Sequence, residues 1–156
     1  MAATQKRTAK KTSVSKAKSY EGFTEEERDA MKERAKELKT SGRGAKADPE
    51  AEVLEKIAEL SDSDRVIAEG IHAIVKASAP QLTSKTWYGM PGWAKDGKVL
   101  CFFQGAHKFK TRYPTFGFND NASLDDGTMW PVAYAITEFN EANKKLITTL
   151  VKRAAG

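Results

Sequence analysis

Apolar residues recur three and four residues apart towards both ends of the chain, whereas they alternate with polar residues in its middle part. The first spacing is typical of amphipathic helices and the second of β-strands. Helices are predicted to begin after four residues that can cap a helix N-terminus: Thr24, Asp48, Ser61 and Asn140. The first helix has few apolar residues, so we expect it to face solvent and to pack weakly.

The stretch from Lys85 to Phe103 predicts a β-hairpin, because Asp96-Gly97 separates two aromatic-rich runs and tolerates the positive φ angles of a type I′ turn. A two-residue loop pairs Trp93 with Leu100, and alternate side chains then point to opposite faces. One predicted face carries Trp87, Trp93, Leu100 and Phe102, and the other carries Tyr88, Met90, Ala94, Val99, Cys101 and Phe103. Both faces are apolar, so the Trp87 face is either covered or is itself a binding surface.

Further strands are predicted after this hairpin. Alternation predicts a strand over 109–113, a brief extended piece over 115–118 and a last strand over 129–136. Pro131 lies within the last strand, which favours an edge position or a bulge. Because strands and helices are segregated along the chain, the sequence predicts an α+β two-layer sandwich, with helices on a mainly antiparallel sheet of four to five strands.

Cations alternate with aromatic residues in the segment that follows the hairpin. If the face of Lys108, Lys110 and Arg112 continues the face of Trp93, rings and cations meet there, which suits an anionic or planar ligand. Otherwise these cations are simply solvated and protect a sheet edge. The candidate ligand-binding residues are Trp87, Tyr88, Met90, Pro91, Trp93, Phe102, Lys110, Arg112 and Tyr113.

Catalytic chemistry has little support in the sequence. Cys101 and His107 are the only pair that resembles a nucleophile and its base, and the apolar neighbours of Cys101 are expected to raise the pKa of its thiol. The chain contains no phosphate-binding loop, zinc-ligand spacing or Gly-x-Ser-x-Gly motif. We therefore expect a binding protein that is not an enzyme, with an unknown small molecule or protein as its ligand.

The net charge of +5 is concentrated in the N-terminal segment. Residues 1–20 hold six cations and no acid, so the remainder of the chain has a net charge of −1. We expect a disordered basic tail over 1–22, an accessory helix and linker over 23–47, and a compact domain over 48–156. The alternative function is weak, non-specific binding of DNA or RNA by the tail cations, Lys6, Arg7, Lys10, Lys11, Lys16 and Lys18.

Cysteine usage and hydropathy indicate an intracellular, cytoplasmic protein without a membrane partner. One cysteine excludes an intrachain disulfide, and no apolar run approaches the ~18 residues that cross a bilayer. The chain is expected to be a monomer or a homodimer.

The segment Trp87-Tyr88-Gly89-Met90-Pro91, with the Asp96-Gly97 turn and the run Val99 to Phe103, resembles the YdhG-like family of small bacterial domains of unknown function. The resemblance extends from about Glu52 to Ala154 and includes Arg112-Tyr113-Pro114. It implies a frataxin-like sandwich, and some relatives are described as intracellular iron chaperones. Iron is therefore implied by the resemblance alone, and no other cofactor is expected. The Lys-rich tail lies outside the resemblance and is similar to the tails of actinobacterial nucleoid-associated proteins.

Overall fold

The computed structural model describes residues 22–41 and 48–156, and these residues form five helices and five strands. The helices are α1 (Glu25–Ser41), α2 (Pro49–Ala58), α3 (Asp62–Ser78), α4 (Ala106–Phe109) and α5 (Glu141–Ala155). The strands are β1 (Thr83–Ser84), β2 (Gly92–Lys95), β3 (Lys98–Gln104), β4 (Thr115–Phe118) and β5 (Ala133–Ala135). The six tail cations and residues 42–47 of the predicted linker lie outside the described residues.

Side-chain caps begin three of the long helices as predicted. Thr24 and Glu27 form a reciprocal capping box, in which each backbone N–H donates to the other's side chain at 3.1 Å. The Asp48 carboxylate accepts from the backbone N–H of Glu50 at 3.0 Å, and the Asn140 side chain accepts from that of Asn143 at 2.8 Å. The fourth cap, Ser61, precedes α3 but makes no side-chain capping bond.

The strands form one antiparallel sheet in chain order, β1-β2-β3-β4-β5. The hydrophobic core lies between one face of this sheet and the helices α2, α3 and α5. Its largest fully buried side chains include Trp93, Phe103, Phe116, Ile57 and Ile71. The arrangement confirms the predicted α+β architecture of helices on an antiparallel sheet.

The turn at Asp96-Gly97 is confirmed, since these residues have φ values of 52° and 81°. The predicted pairing of Trp93 with Leu100 is wrong, because a β-bulge places Leu100 as an extra residue in β3 and Trp93 pairs with Cys101. The extra residue brings Trp93 to the core face, where it is 1% exposed. The opposite face, called the outer face below, carries Gly92, Ala94, Val99, Phe102 and Gly117.

The predicted strand over 109–113 is also wrong. The chain forms the short helix α4 instead, and Lys110 ends it in the left-handed conformation with φ of 52°. The start of α4 is held by α3, because the Asp64 carboxylate accepts from the backbone N–H of His107 at 3.0 Å. Lys108, Lys110 and Arg112 therefore do not share a strand face. Five alternating residues are too short a run to separate a strand from this helical turn.

The other two predicted strands are present in shorter form. The brief extended piece over 115–118 is β4, which is paired on both sides, with β3 and with β5. The strand predicted over 129–136 is reduced to β5, and β5 forms an edge of the sheet. Pro131 lies just before β5, where it removes no hydrogen bond from the sheet ladder.

Candidate functional site

The first half of the predicted hairpin folds back on itself through a second tight turn. Trp87 and Met90 exchange two backbone hydrogen bonds, each with an N–O distance of 2.8 Å. Tyr88 and Gly89 between them have φ values of 51° and 75°, which is typical of a type I′ turn. We call Trp87–Met90 the tip turn. A positive φ is uncommon for tyrosine and costs free energy. The two backbone hydrogen bonds between Trp87 and Met90 stabilise Tyr88 in this conformation.

Helix α1 contacts the tip turn. The Glu37 carboxylate accepts from the backbone N–H groups of Tyr88 and Gly89, at 3.2 and 2.9 Å. The Arg34 guanidinium lies over the Trp87 ring, 4.6 Å from its centroid, and within 5.7 Å of the Tyr88 ring centroid. The two rings meet edge to face with centroids 4.8 Å apart. The described side chains of α1 are mostly exposed, as its few apolar residues predicted, and its contacts with the turn are made by polar groups.

The stripe of α1 that faces the domain is polar. Lys110 forms a 2.7 Å ion pair with Glu26, and Lys56 forms a 3.5 Å ion pair with Glu33. Only Ala30 is buried among the described side chains of this helix. The stripe also includes Arg34 and Glu37, which contact the tip turn. Its five members are spaced three or four residues apart or adjacent, at positions 26, 30, 33, 34 and 37, and so lie on one side of the helix. A hydrophobicity pattern could not find this stripe, because four of its five members are charged.

An open groove of about 540 Å³ lies between α1 and the Asp96-Gly97 end of the sheet. The Trp87 ring contributes an aromatic surface, and Arg34, Lys85 and Lys98 contribute cations. Asp120 is the acidic residue among the lining residues. The groove has the volume of an ordinary small-molecule site, and its charge favours an anion.

Two side chains in the groove have unused hydrogen-bonding capacity. The Asn121 amide nitrogen donates to the Lys98 carbonyl at 3.3 Å, whereas its buried oxygen has no hydrogen-bond partner within the described part of the chain. The Lys85 ammonium donates to the Gly97 carbonyl at 2.9 Å, which uses one of its three N–H groups. Because the Asn121 oxygen is buried, a molecule in the groove can use only the remaining N–H groups of Lys85, which favour an anionic group.

The lysines of the α4 region have pKa values that move in opposite directions. Burial lowers the pKa of Lys108, and the charge of Lys56 lowers it further. The Lys108 ammonium donates to the Gly89 carbonyl at 3.1 Å, which places it beside the tip turn. The hydrogen bond to Glu26 raises the pKa of Lys110 and lowers that of the Glu26 carboxyl. Lys110 therefore acts as a charged anchor for the start of α1.

The structure brings together only part of the predicted ligand-binding set. Trp87 and Tyr88 lie together at the tip turn, where both are partly exposed. The prediction that Trp93 contacts a ligand is wrong, because its side chain is buried in the hydrophobic core. The remaining members are divided between buried positions (Met90 and Pro91), the outer face (Phe102) and the α4 region (Lys110, Arg112 and Tyr113).

Sequence reasoning missed most of the groove. The predicted hairpin would place Lys85 at its open end and Lys98 beside its turn, so the sequence contained no sign that they share a site; the tip turn is what brings Lys85 back towards Lys98. Arg34 carries no such signal, since it lies more than 50 residues from Trp87 in a helix without an apolar stripe. Asn119 and Asn121 fall in a segment that composition identifies only as a loop.

Trp93 instead takes part in a hydrogen-bonded chain that links β2 to two helices. Its indole N–H donates to His72 Nδ1 at 3.1 Å, and His72 Nε2 lies 3.2 Å from a Glu50 carboxylate oxygen. Lys76 donates to the same oxygen at 2.8 Å, and this hydrogen bond is the main cause that lowers the pKa of Glu50. The contacts of His72 are those of a structural residue.

The described residues do not supply a metal site or a reactive thiol. No group of three or more His, Cys, Asp or Glu side chains in 22–41 and 48–156 is placed to hold a metal ion. These residues therefore do not fit the iron that the resemblance implies. Burial raises the pKa of the Cys101 thiol, while His107 is exposed on α4. The two candidates for a nucleophile and its base thus occupy different environments.

Within the described ranges, no helix has the length and apolar character needed to span a bilayer. In comparisons with known proteins, no family model, no curated protein and no solved structure matches this chain.

Proposed function

We propose that this protein is a non-enzymatic binding domain of the YdhG-like type, and that its site is the groove beside Trp87. The observation that carries the proposal is the meeting of one aromatic ring with three cations, Arg34, Lys85 and Lys98, in a groove of about 540 Å³. The ligand class that fits is a planar anion. Its ring stacks on Trp87 and its charge faces the lysines.

The three cations are not equally available to a ligand. Arg34 is already paired with Glu37 at 3.4 Å, and it positions Trp87 by lying over its ring. Lys85 keeps part of its donor capacity after its bond to Gly97. Lys98 makes no ion pair with another described residue and is exposed beside the turn. We therefore assign the main electrostatic contact with the ligand to Lys98.

Native mass spectrometry of protein purified gently from its own host tests this proposal. We expect a bound small mass on the unmodified protein that disappears on denaturation, and we expect Lys98→Glu to lose it because the substitution reverses the charge in the groove. Lys145→Glu is the matched control, since Lys145 is an exposed residue of α5 in the helical layer. A mass retained by Lys98→Glu, or a bare unmodified protein, would count against the groove.

The alternative function is nucleic-acid binding by the N-terminal segment. It is supported by charge alone, because all of the net positive charge belongs to residues 1–20. Such binding is electrostatic and independent of base sequence. It requires nothing of the groove, so the two functions can be tested separately on the same protein.

A further inference from the structure

We infer that the tip turn is a carboxylate-binding site that α1 occupies with Glu37, and that a carboxylate on another molecule binds there when α1 moves away. Both carboxylate oxygens are used: one accepts from Tyr88 N–H at 3.2 Å and the other from Gly89 N–H at 2.9 Å. The binding groups are the backbone amides of Tyr88 and Gly89, which do not line the groove, although the two sites lie side by side and share Trp87 and Arg34.

The geometry of the turn explains its preference for a carboxylate. Tyr88 and Gly89 both have positive φ, and their consecutive N–H groups point to the same acceptor group. Successive amides in such a turn form a concavity that binds anions. Two donors side by side match the two oxygens of a carboxylate.

Two cations lie at the site, of which Lys108 belongs to the domain and stays when α1 moves away, whereas Arg34 belongs to α1 and leaves with Glu37. An Arg34 nitrogen lies 3.4 Å from a Glu37 carboxylate oxygen, and the Lys108 ammonium lies 3.1 Å from the carbonyl oxygen of Gly89. Burial is the main cause that lowers the pKa of Lys108, and the charges of Glu59, Glu33 and Glu37 act in the opposite direction. A carboxylate that replaced Glu37 would meet the same Lys108 charge.

Helix α1 is held mainly by polar contacts, which a competing polar group can replace. Apart from Ala30, its docked stripe consists of charged side chains; Lys110, the partner of Glu26, is exposed, and the Lys56–Glu33 pair is partly exposed. Exposed ion pairs contribute only about 0–1 kcal/mol each. The bond between Glu37 and the amides is therefore a large part of what keeps α1 in place, and a competing carboxylate acts directly on it.

The test uses the full chain with Glu37→Ala, which frees the two amides, and sodium acetate as the probe. Backbone ¹H–¹⁵N spectra follow Tyr88 and Gly89 during titration, with sodium chloride at matched ionic strength as the reference. We expect saturable shifts of these two resonances in the variant. In the unmodified protein the shifts of these two resonances should be lost over the same range of acetate concentration, because the Glu37 carboxylate already occupies both N–H groups. Glu25→Ala, at an exposed position in the first turn of the same helix, should behave as the unmodified protein.

A second probe separates the two sources of a carboxylate. A capped peptide of residues 24–41 is added to the same Glu37→Ala protein. Tighter binding of this peptide than of acetate indicates an acidic helical segment of a protein, whereas equal binding indicates a small free carboxylate. Either result supports a carboxylate site at the tip turn.

Three results would overturn the inference. The first is the absence of a saturable shift with both probes, and the second is an equal acetate response in the unmodified protein. The third is unfolding of both Glu37→Ala and the neutral isostere Glu37→Gln. Unfolding of both variants would show that the Glu37 carboxylate is required for folding and cannot be replaced by another carboxylate.

Discussion

His72 shows how one side chain can connect three elements of the fold. The Trp93 indole is a donor only, so its bond to Nδ1 requires the lone pair of that nitrogen and leaves the proton on Nε2. Nε2 in turn donates to Glu50, whose other partner is Lys76. Each ring nitrogen of His72 therefore has a defined role, and the imidazole joins β2 and α2 to its own helix α3.

We predict that His72→Ala lowers the free energy of unfolding by about 1–3 kcal/mol, since it leaves the buried Trp93 N–H without an acceptor. Urea denaturation measures this loss. Adding Trp93→Phe should make the effect of His72→Ala smaller than in the single variant, because the orphaned donor is then absent. His107→Ala, at an exposed position of α4, is the matched control and should change the stability little. Equal losses in the two histidine variants would contradict the role given to His72.

At the scale of elements, the first three strands form two consecutive hairpins, each closed by a type I′ turn. The two hairpins share β2, which leaves little space between β2 and its neighbours. A Cβ atom placed on Gly92 would lie 2.5 Å from the carbonyl oxygen of Lys85 on the paired segment. Gly92 is therefore required for the close approach of these two backbones.

Gly92→Ala is expected to destabilise the protein by about 1–3 kcal/mol, because the added methyl group forces apart two hydrogen-bonded backbones. Gly117→Ala provides a matched comparison on the same face of the sheet. Its Cβ would meet the Phe102 ring at 2.5 Å, and a ring can turn aside more easily than a backbone can. Thermal denaturation should therefore show the larger loss for Gly92→Ala. A larger loss for Gly117→Ala would show that the outer face is more rigid than the hairpin.

For the whole molecule, charge divides the chain into two unequal parts. Residues 1–20 carry six cations, and the remaining residues have a net charge of −1. An attraction to nucleic acid would therefore depend on the first part and respond strongly to salt. Ligand binding in the groove would depend on the second part, where local cations are concentrated at Lys85 and Lys98.

Deletion of residues 1–20 is predicted to abolish binding to duplex DNA. With the full chain, the slope of log K against log salt concentration should be no steeper than about −5, the limit for six phosphate contacts. Fluorescence anisotropy with a labelled duplex at several salt concentrations measures both quantities. Replacing the six cations with Gln should have the same effect as the deletion. Affinity that survives the deletion would exclude the tail as the binding element.

The helices and the Asp96-Gly97 turn could be predicted because their signals are local. Caps such as Thr24 and Asn140 act within three residues of themselves. The position of Trp93 could not be predicted, because one extra residue in β3 reverses the face of every side chain beyond it. The groove depends on the docking of α1, which charged contacts determine, and hydrophobic periodicity does not report such contacts.

The position of Cys101 has a practical consequence. The thiol lies in the central strand β3, it is fully buried, and burial holds its pKa above the ordinary cysteine value. Alkylating reagents attack the thiolate, so they reach this sulfur only when the sheet opens. Because it is the single cysteine of the chain, the rate of modification reports one event, the opening of the sheet around β3. The protein thus carries its own probe of how often its core opens under native conditions.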